Sequence, residues 1–495
     1  MINIQTFQNN PYKIIELLAL ICGALLPFSF SPYDYFWLQF PLISFIFIAC
    51  LGQKPSVAFR RAFLFGMGWF GHGIYWLFYS LHYHGGMPEL VAVITIVLLA
   101  AYMSLFPAFS FYLANRLIKT SGFNMLVVIY PISWMLFDWF RGYFLTGFPW
   151  LQIGIAHIDT YLAGYGPVVG GLGIGLIVTV ISGLLSASLF KSNFKIALPV
   201  IAVIYMSGYL LALISWTEAV DEPVKVSMIQ GNITQAEKWK SENYQPTLQM
   251  YRELTQQHWD SDLIIWPETA IPGFLRRVPY YLDGLRKEAD DSDTDVLLGL
   301  FVRDDKTQRY YNSMVSLDGQ KYLKRHLVPL GEYFPLRPLL GFFAQWVNIP
   351  MSDIDSGEES QPLINAAGQK IGLSICFEDA FDRSVLLDLP EATLLVNVSN
   401  DAWFEDSSQP WQHHQIARMR ALESGRVLLR VTNTGVSSVI DRDGKVLNIA
   451  RQFKREVITA NVQPYRGSTP YVIWANYLLI VSGLLVLFVF IKTKK

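Results

Sequence analysis

Cys376 ends the run Lys370 to Ile375, in Ile375-Cys376-Phe377-Glu378. The run is apolar and short, and reads as a buried strand. Upstream stand a carboxylate, Glu268 in Trp266-Pro267-Glu268-Thr269, and an amine, Lys324 in Tyr322-Leu323-Lys324-Arg325-His326. Each sits where a strand signal gives way to a loop. Together they supply a nucleophile, a base and an electrostatic stabiliser. Each alone has an ordinary explanation. A glutamate after Trp-Pro serves well as a helix N-terminal acid. Lys324 lies in a charge run whose default is a solvated face. A lone cysteine belongs to one of the most buried residue types.

A free thiol has a pKa of about 8.5, so little thiolate exists near neutrality. A carboxylate raises that value by its charge but can accept the proton. A nearby ammonium favours the thiolate. These opposing demands assign Glu268 as general base and Lys324 as the group that steadies the thiolate and the tetrahedral oxyanion.

The elements that must position these groups fall in residues 221–466. Val224 to Ile229, Leu263 to Trp266, Asp295 to Val302, Met314 to Leu317, Ile371 to Ile375 and Thr393 to Val398 read as strands. So do Val427 to Val431, Val436 to Ile440 and Val457 to Val462. Pro246 to Trp259 and His413 to Arg426 read as helices. Such alternation predicts an α/β domain, whose sheet can bring distant strand ends to one point. His413-His414 diverge on a helix and no other cluster has ligand spacing, so neither metal nor cofactor is expected.

The rest of the chain is built for lipid. Hydrophobic residues make up 52% of the sequence and charged ones 16%, against roughly a quarter charged in a soluble domain. A spanning helix needs about 20 mostly apolar residues. Spans are predicted near 14–30, 35–52, 62–80, 89–114, 123–140, 164–190, 196–215 and 471–491. The predicted organisation is a helical bundle over 1–220, a globular domain over 221–466, and a closing helix and tail over 467–495. Lys54, Arg60, Arg61, Arg116, Lys119, Lys191 and Lys195 fall in alternate connections, and Lys492, Lys494 and Lys495 in the tail. Positive connections stay in the cytoplasm, which sends 221–466 to the far side; in a bacterium that is the periplasm. Asp138 and Arg141 lie near a span boundary, and no charged pair inside a span is evident. A transporter would need one. Gly170-Gly171-Leu172-Gly173-Ile174-Gly175 lies within an apolar run and reads as close helix packing. The formal net charge of −1 gives no reason to expect nucleic acid. On an oxidising far side, one extramembrane cysteine cannot form an internal disulfide.

The ordered set Glu268, Lys324, Cys376 resembles the nitrilase, or carbon–nitrogen hydrolase, superfamily over about Val224 to Val462. The flanks narrow the match. Trp266-Pro267-Glu268-Thr269-Ala270, Lys324-Arg325-His326-Leu327-Val328-Pro329-Leu330-Gly331-Glu332-Tyr333 and Asn397-Val398-Ser399-Asn400-Asp401-Ala402-Trp403-Phe404 are similar to the apolipoprotein N-acyltransferases. Gln230-Gly231-Asn232-Ile233 with Lys238-Trp239, the many spans and the closing helix fit the same family. Leu330 and Phe377 depart from its usual Phe and Tyr.

The resemblance implies a multi-span bundle carrying an α-β-β-α sandwich, in the bacterial inner membrane with the catalytic domain in the periplasm. It implies a two-step reaction. A phospholipid acylates Cys376, and the α-amine of an apolipoprotein's N-terminal diacylglyceryl-cysteine then takes the chain from the thioester. Glu332, Glu378 and Glu423 are the expected supporting acids. Trp150, Trp239, Tyr333, Phe342, Phe343, Trp346, Phe377 and Trp403 are expected to meet substrate. The segment from Tyr333 to Trp346 is apolar but too short to span; it reads either as a core helix or as a lid that dips into the outer leaflet. The alternative is a membrane-anchored amidase that hydrolyses a small C–N substrate with the same three residues.

Overall fold

The computed structural model describes residues 12–191, 194–333 and 354–492. The chain forms two compact units. One holds the chain up to Phe78, Leu90–Ser215 and everything from Ile473; the other holds Tyr79–Glu89 and Trp216–Val472.

In the first unit, Glu89–Leu117, Gly122–Arg141, Tyr161–Phe190 and Lys195–Ala212 are long and apolar enough to cross a membrane. Phe36–Cys50 and Tyr477–Lys492 are shorter apolar helices. Tyr12–Leu25 and Pro55–Gly73 complete the set. The predicted span 62–80 is therefore shifted. Its helix stops at Gly73, and Tyr79–His84 forms a π-helical turn that belongs to the other unit.

Helices Tyr12–Leu25 and Pro55–Gly73 meet backbone to backbone. A Cβ on Gly23 would lie 1.9 Å from the Phe65 carbonyl oxygen, and one on Gly68 2.0 Å from that of Leu20. Gly154 lies as close to Gly171, so the glycine-rich passage packs helix against loop. Three charged residues differ from expectation. Arg61 is turned inward and donates to the Ala49 carbonyl at the end of Gln39–Cys50. Arg141 and Asp138 form a buried pair, which the sequence did not reveal. Arg141 Nη1 also donates to the carbonyls of Phe148 and Trp150, at 2.6 and 2.8 Å. The pair ties down the irregular chain that follows, where backbone groups have no helix to satisfy them.

The second unit is a four-layer α-β-β-α sandwich. One sheet contains β1 (Val224–Gln230), β2 (Leu263–Ile265), β3 (Asp295–Arg303), β4 (Tyr310–Ser316) and β5 (Lys321–Leu323). The other contains β6 (Ile364–Ala366), β7 (Gln369–Ile375), β8 (Leu394–Ser399), β9 (Leu428–Thr432), β10 (Ser438–Ile440) and β11 (Val446–Ile449). β12 (Glu456–Val462) returns to the first sheet beside β1. The orders are β12-β1-β2-β3-β4-β5 and β11-β10-β9-β8-β7-β6. β1, β2 and β3 run parallel, as do β7, β8 and β9; the outer pairings are antiparallel.

Alternation decides what each strand buries. Leu263 and Ile265 of β2 face the second sheet, packing with Ile371, Leu373 and Ile375 of β7. Ile264 faces outward, onto Leu248 and Tyr251 of helix Tyr244–Gln256 and Leu282 and Leu285 of helix Pro279–Ser292. On the other side, Leu395 and Leu428 meet Ala417 and Ala421 of helix Gln409–Ser424. Strands β5, β6 and β11 and helix Pro279–Ser292 were not predicted. They are short, or too polar for hydropathy to reveal. The charge run from Lys321 to His326 is not a solvated face, since Tyr322 in β5 and Lys324 just after it are buried.

Candidate active site

Parallel strands deliver their C-terminal ends to one place, where open α/β sheets bind ligands. Glu268 follows β2, Cys376 follows β7 and Asn400 follows β8. Lys324 follows the edge strand β5. Glu268, Lys324, Cys376, Glu332, Asn312 and Asn400 all line one cavity. Its apolar walls come from Trp239, Phe301, Val328, Ile354, Trp403 and Phe404, and Gln235, Thr269, Gly331 and Ser80 complete it.

Glu268 is held at both oxygens. Asn312 Nδ2 donates to Oε1 at 2.7 Å, and the Asn400 backbone N–H donates to Oε2 at 2.8 Å. The loop that carries it presses on β3. A Cβ on Gly299 would stand 2.3 Å from the Pro267 oxygen and 2.9 Å from the Glu268 Cα, so only glycine fits there.

Lys324 is 1% exposed and lies between two carboxylates. Its Nζ is 2.9 Å from Glu332 Oε1 and 3.8 Å from Glu268 Oε1. Burial pulls its pKa down, but Glu332 and Glu268 outweigh burial and hold it above the usual lysine value. It is therefore an ammonium at any working pH. Glu332 is oriented in turn by Asn312 Nδ2 at 3.3 Å and by the Val328 N–H at 2.8 Å.

Cys376 has φ 55, a left-handed conformation costly for a residue with a Cβ. Its carbonyl is held by Asn397 Nδ2 at 3.2 Å, and His413 Nε2 lies at the same distance. Beneath it, Arg430 bonds Asn397, Asp379 and Asp401 in a buried network. Burial raises the thiol's pKa, Glu268 adds to the rise and Lys324 opposes it. The resting sulfur is thus a thiol, and its proton must pass to a base before it can attack.

Glu378 does not face the cavity. Its Oε1 accepts from the backbone N–H groups of Arg325 and His326, at 2.6 and 2.9 Å. Its Oε2 accepts from the Ile375 N–H at 2.6 Å and the Tyr322 hydroxyl at 2.8 Å. One carboxylate thus clamps the strand end before Cys376 to the loop after Lys324. Burial raises its pKa, while Lys324 and these bonds oppose the rise.

The remaining predicted residues are dispersed. Glu423 is buried in a pair with Arg420 at 2.8 Å on helix Gln409–Ser424, away from the cavity lining. Phe377 packs edge-on against Phe381, centroids 5.0 Å apart. Tyr333 packs with Phe301, Leu327 and Ile354. Trp150 is buried in the membrane unit against Trp76. Phe342, Phe343 and Trp346, with nearly all of the segment read as a core helix or a lid, lie outside the described residues. His414 meets Ser438, so the two adjacent histidines serve different neighbours. Asn312, Gln235 and Ser80 were missed. The one signal for Asn312 was an amide inside an otherwise buried strand. Ser80 had none, because it comes from a segment between two apolar helices.

Residues 225–471 match the carbon–nitrogen hydrolase family, and residues 22–184 match the apolipoprotein N-acyltransferase N-terminal domain. A protein of Methylococcus capsulatus called apolipoprotein N-acyltransferase is 42% identical, covering 93% of this chain and 92% of its own. Proteins of the same name from Nitrosomonas europaea and Coxiella burnetii are 38% and 37% identical. They cover 97% and 96% of this chain, and 97% and 98% of their own. With a membrane unit and a sandwich both matched across nearly full-length relatives, this chain belongs to the apolipoprotein N-acyltransferase family.

Proposed function

We propose that this protein moves an acyl chain from a phospholipid to the N-terminal α-amine of a diacylglyceryl-cysteine apolipoprotein, through a thioester on Cys376. The observation that carries this reading is the meeting of Glu268, Lys324 and Cys376 around one cavity with apolar walls. Family membership supplies the substrate class.

Glu268 takes the Cys376 proton, and the thiolate attacks the ester carbonyl. Lys324 faces the developing negative charge. The tetrahedral adduct collapses as Glu268 returns its proton to the departing lysophospholipid oxygen, leaving the thioester. The acceptor amine then attacks the thioester carbonyl and gives Glu268 a proton. The amide forms as the C–S bond breaks, and the sulfur recovers its proton. A thioester suits the task because it stores the acyl group yet yields to an amine. The reading places the membrane unit in the bacterial inner membrane and the sandwich in the periplasm.

Incubation of the purified protein with phospholipid bearing a labelled acyl chain tests this directly. The label should appear by mass on Cys376 and leave on addition of a diacylglyceryl peptide amine. Release as free acid alone, with the amine present, would instead identify a hydrolase.

A further inference from the structure

The helical turn Gln235–Lys238 ends in a lysine that is 3% exposed. Lys238 stands behind the cavity wall. Its Nζ donates to the Glu268 backbone carbonyl at 3.2 Å and to the Thr269 hydroxyl at 2.5 Å. Thr269 has φ 46, so the turn that presents Glu268 is strained and must be held. Lys238 holds it from one side, and the backbone at Gly299 closes on the other.

Charge gives a second argument. Glu268, Glu332, Lys324 and Cys376 share one buried site. With Lys324 as the sole cation they carry one surplus negative charge. Moving a proton from the thiol to Glu268 shifts that charge onto sulfur without removing it. A second ammonium beside Glu268 brings the sum to zero both before and after the transfer. Buried charge that is not offset is costly, so the offset matters most here.

We propose that Lys238 is a positioning residue of the site, a second ammonium that fixes the Glu268–Thr269 turn and offsets the surplus negative charge so that Cys376 can yield its proton. This rests on the roles given above to Glu268, Lys324 and Cys376. Burial outweighs the pull of Glu268 and Cys376, which raise the Lys238 pKa, and leaves it at about 8. Those are the ionisable groups that act on it. On its own stretch, Glu237 and Lys240 pair with each other in solvent. Its charge therefore titrates in a range where enzymes work.

The test reads thiol reactivity without any lipid, so failure here and failure of acyl transfer are separable. The full chain in detergent micelles is alkylated with iodoacetamide from pH 6 to 10, and modification of Cys376 is followed by site-resolved mass spectrometry. In the wild type, the logarithm of the rate should climb and then flatten near pH 8, where Lys238 loses its charge. In Lys238→Arg the charge persists, so the climb should continue without a bend. Lys238→Met should alkylate about tenfold more slowly at pH 7, the effect of about one unit in thiol pKa. A wild-type profile with no bend, an arginine variant that keeps it, or a methionine variant as fast as wild type would overturn the proposal. If the methionine variant does not fold, the shape of the arginine profile decides alone.

Discussion

The two units satisfy their polar groups with a different balance of near and far partners. In the membrane unit, several hydroxyls turn back on their own helix. Ser104, Ser182, Ser186 and Ser188 each donate to the carbonyl four residues earlier. Between helices, close glycine contacts are joined by side chains that reach a neighbouring helix's backbone, as Ser44 does to Ser182, Ser133 to Ser110 and Asn115 to Cys50. In the catalytic unit, side chains reach across the sequence. Glu378 ties Ile375 to residues more than fifty positions upstream, and Asn400 holds Glu268 across 132. Lipid offers no water to an unpaired group, so local satisfaction is the safe design there. A site needs groups from distant strands, so its order depends on the whole sandwich.

Cysteine gives the sharpest contrast between the units. Cys50 is buried in the bundle, its Sγ 3.7 Å from the Ala58 carbonyl oxygen. Among the described residues, Arg61 is the charge that acts on it, and no carboxylate or lysine is arranged about it as about Cys376. Cys376→Ala should abolish the labelled acyl-enzyme completely, while Cys50→Ala should leave its yield unchanged by intact mass. An acyl adduct that survives in Cys376→Ala would end the assignment of the nucleophile.

Glu378→Gln should have the next largest effect. Its carboxylate accepts four hydrogen bonds, and an amide places its own N–H groups against two of those donors. Conflict of this kind in a buried site costs about 1–3 kcal/mol per unsatisfied group. The loop after Lys324 and the elbow at Cys376 should both shift, slowing acyl-enzyme formation about 10²-fold. A rate within threefold of wild type would show that the clamp is not needed.

Gly68→Val makes the matching break in the membrane unit. The new Cβ would meet the Leu20 carbonyl oxygen at 2.0 Å and the Ala24 nitrogen at 2.5 Å. The helices must part, at a cost of about 1–3 kcal/mol by overpacking. The thermal midpoint in detergent should fall by several degrees, whereas Gly71→Ala, with no neighbour within 4 Å of its Cβ, should leave it in place.

The same contrast explains what could be read from the sequence. The spans near 89–114, 164–190 and 196–215 were visible because hydropathy is a local property. Glu268, Lys324 and Cys376 were visible because each follows a buried strand within a familiar order. Glu332 was found through the resemblance carried by the segment Lys324 to Tyr333. The function of Glu378 could not be found, since three of its four partners lie more than fifty positions upstream. Ser80 was hidden for the same reason, whereas the Asp138–Arg141 pair is local in sequence and only its burial was hidden. Glu423 was assigned to the site, but helical spacing gave it to Arg420 three residues away. Pairing across long sequence separation leaves no mark in a single chain, and the site is made almost entirely of such pairs.

The smallest predicted effect tests the loop between these groups. His326 lies against Phe381, ring centroids 3.8 Å apart, two residues beyond Lys324. Among the described residues its Nε2 has no hydrogen-bond partner. Burial, with the charges of Arg383 and Lys324 adding to it, lowers its pKa to about 4. The unfolded chain, with an ordinary histidine pKa of about 6.5, binds this proton more readily. Stability from neutral His326 is therefore present above pH 6.5 and lost as pH falls towards 4. The full difference would be about 3 kcal/mol, and solvent at the partly exposed ring reduces it to about 1–2. The carboxylates of the sandwich also respond to acid, so the variant must be compared with wild type at both ends. Between pH 7 and pH 4.5, His326→Phe should lose less stability than wild type by that amount in denaturant unfolding. Equal losses would mean that the ring already accepts a proton in the folded loop, beside an ammonium that ought to repel it.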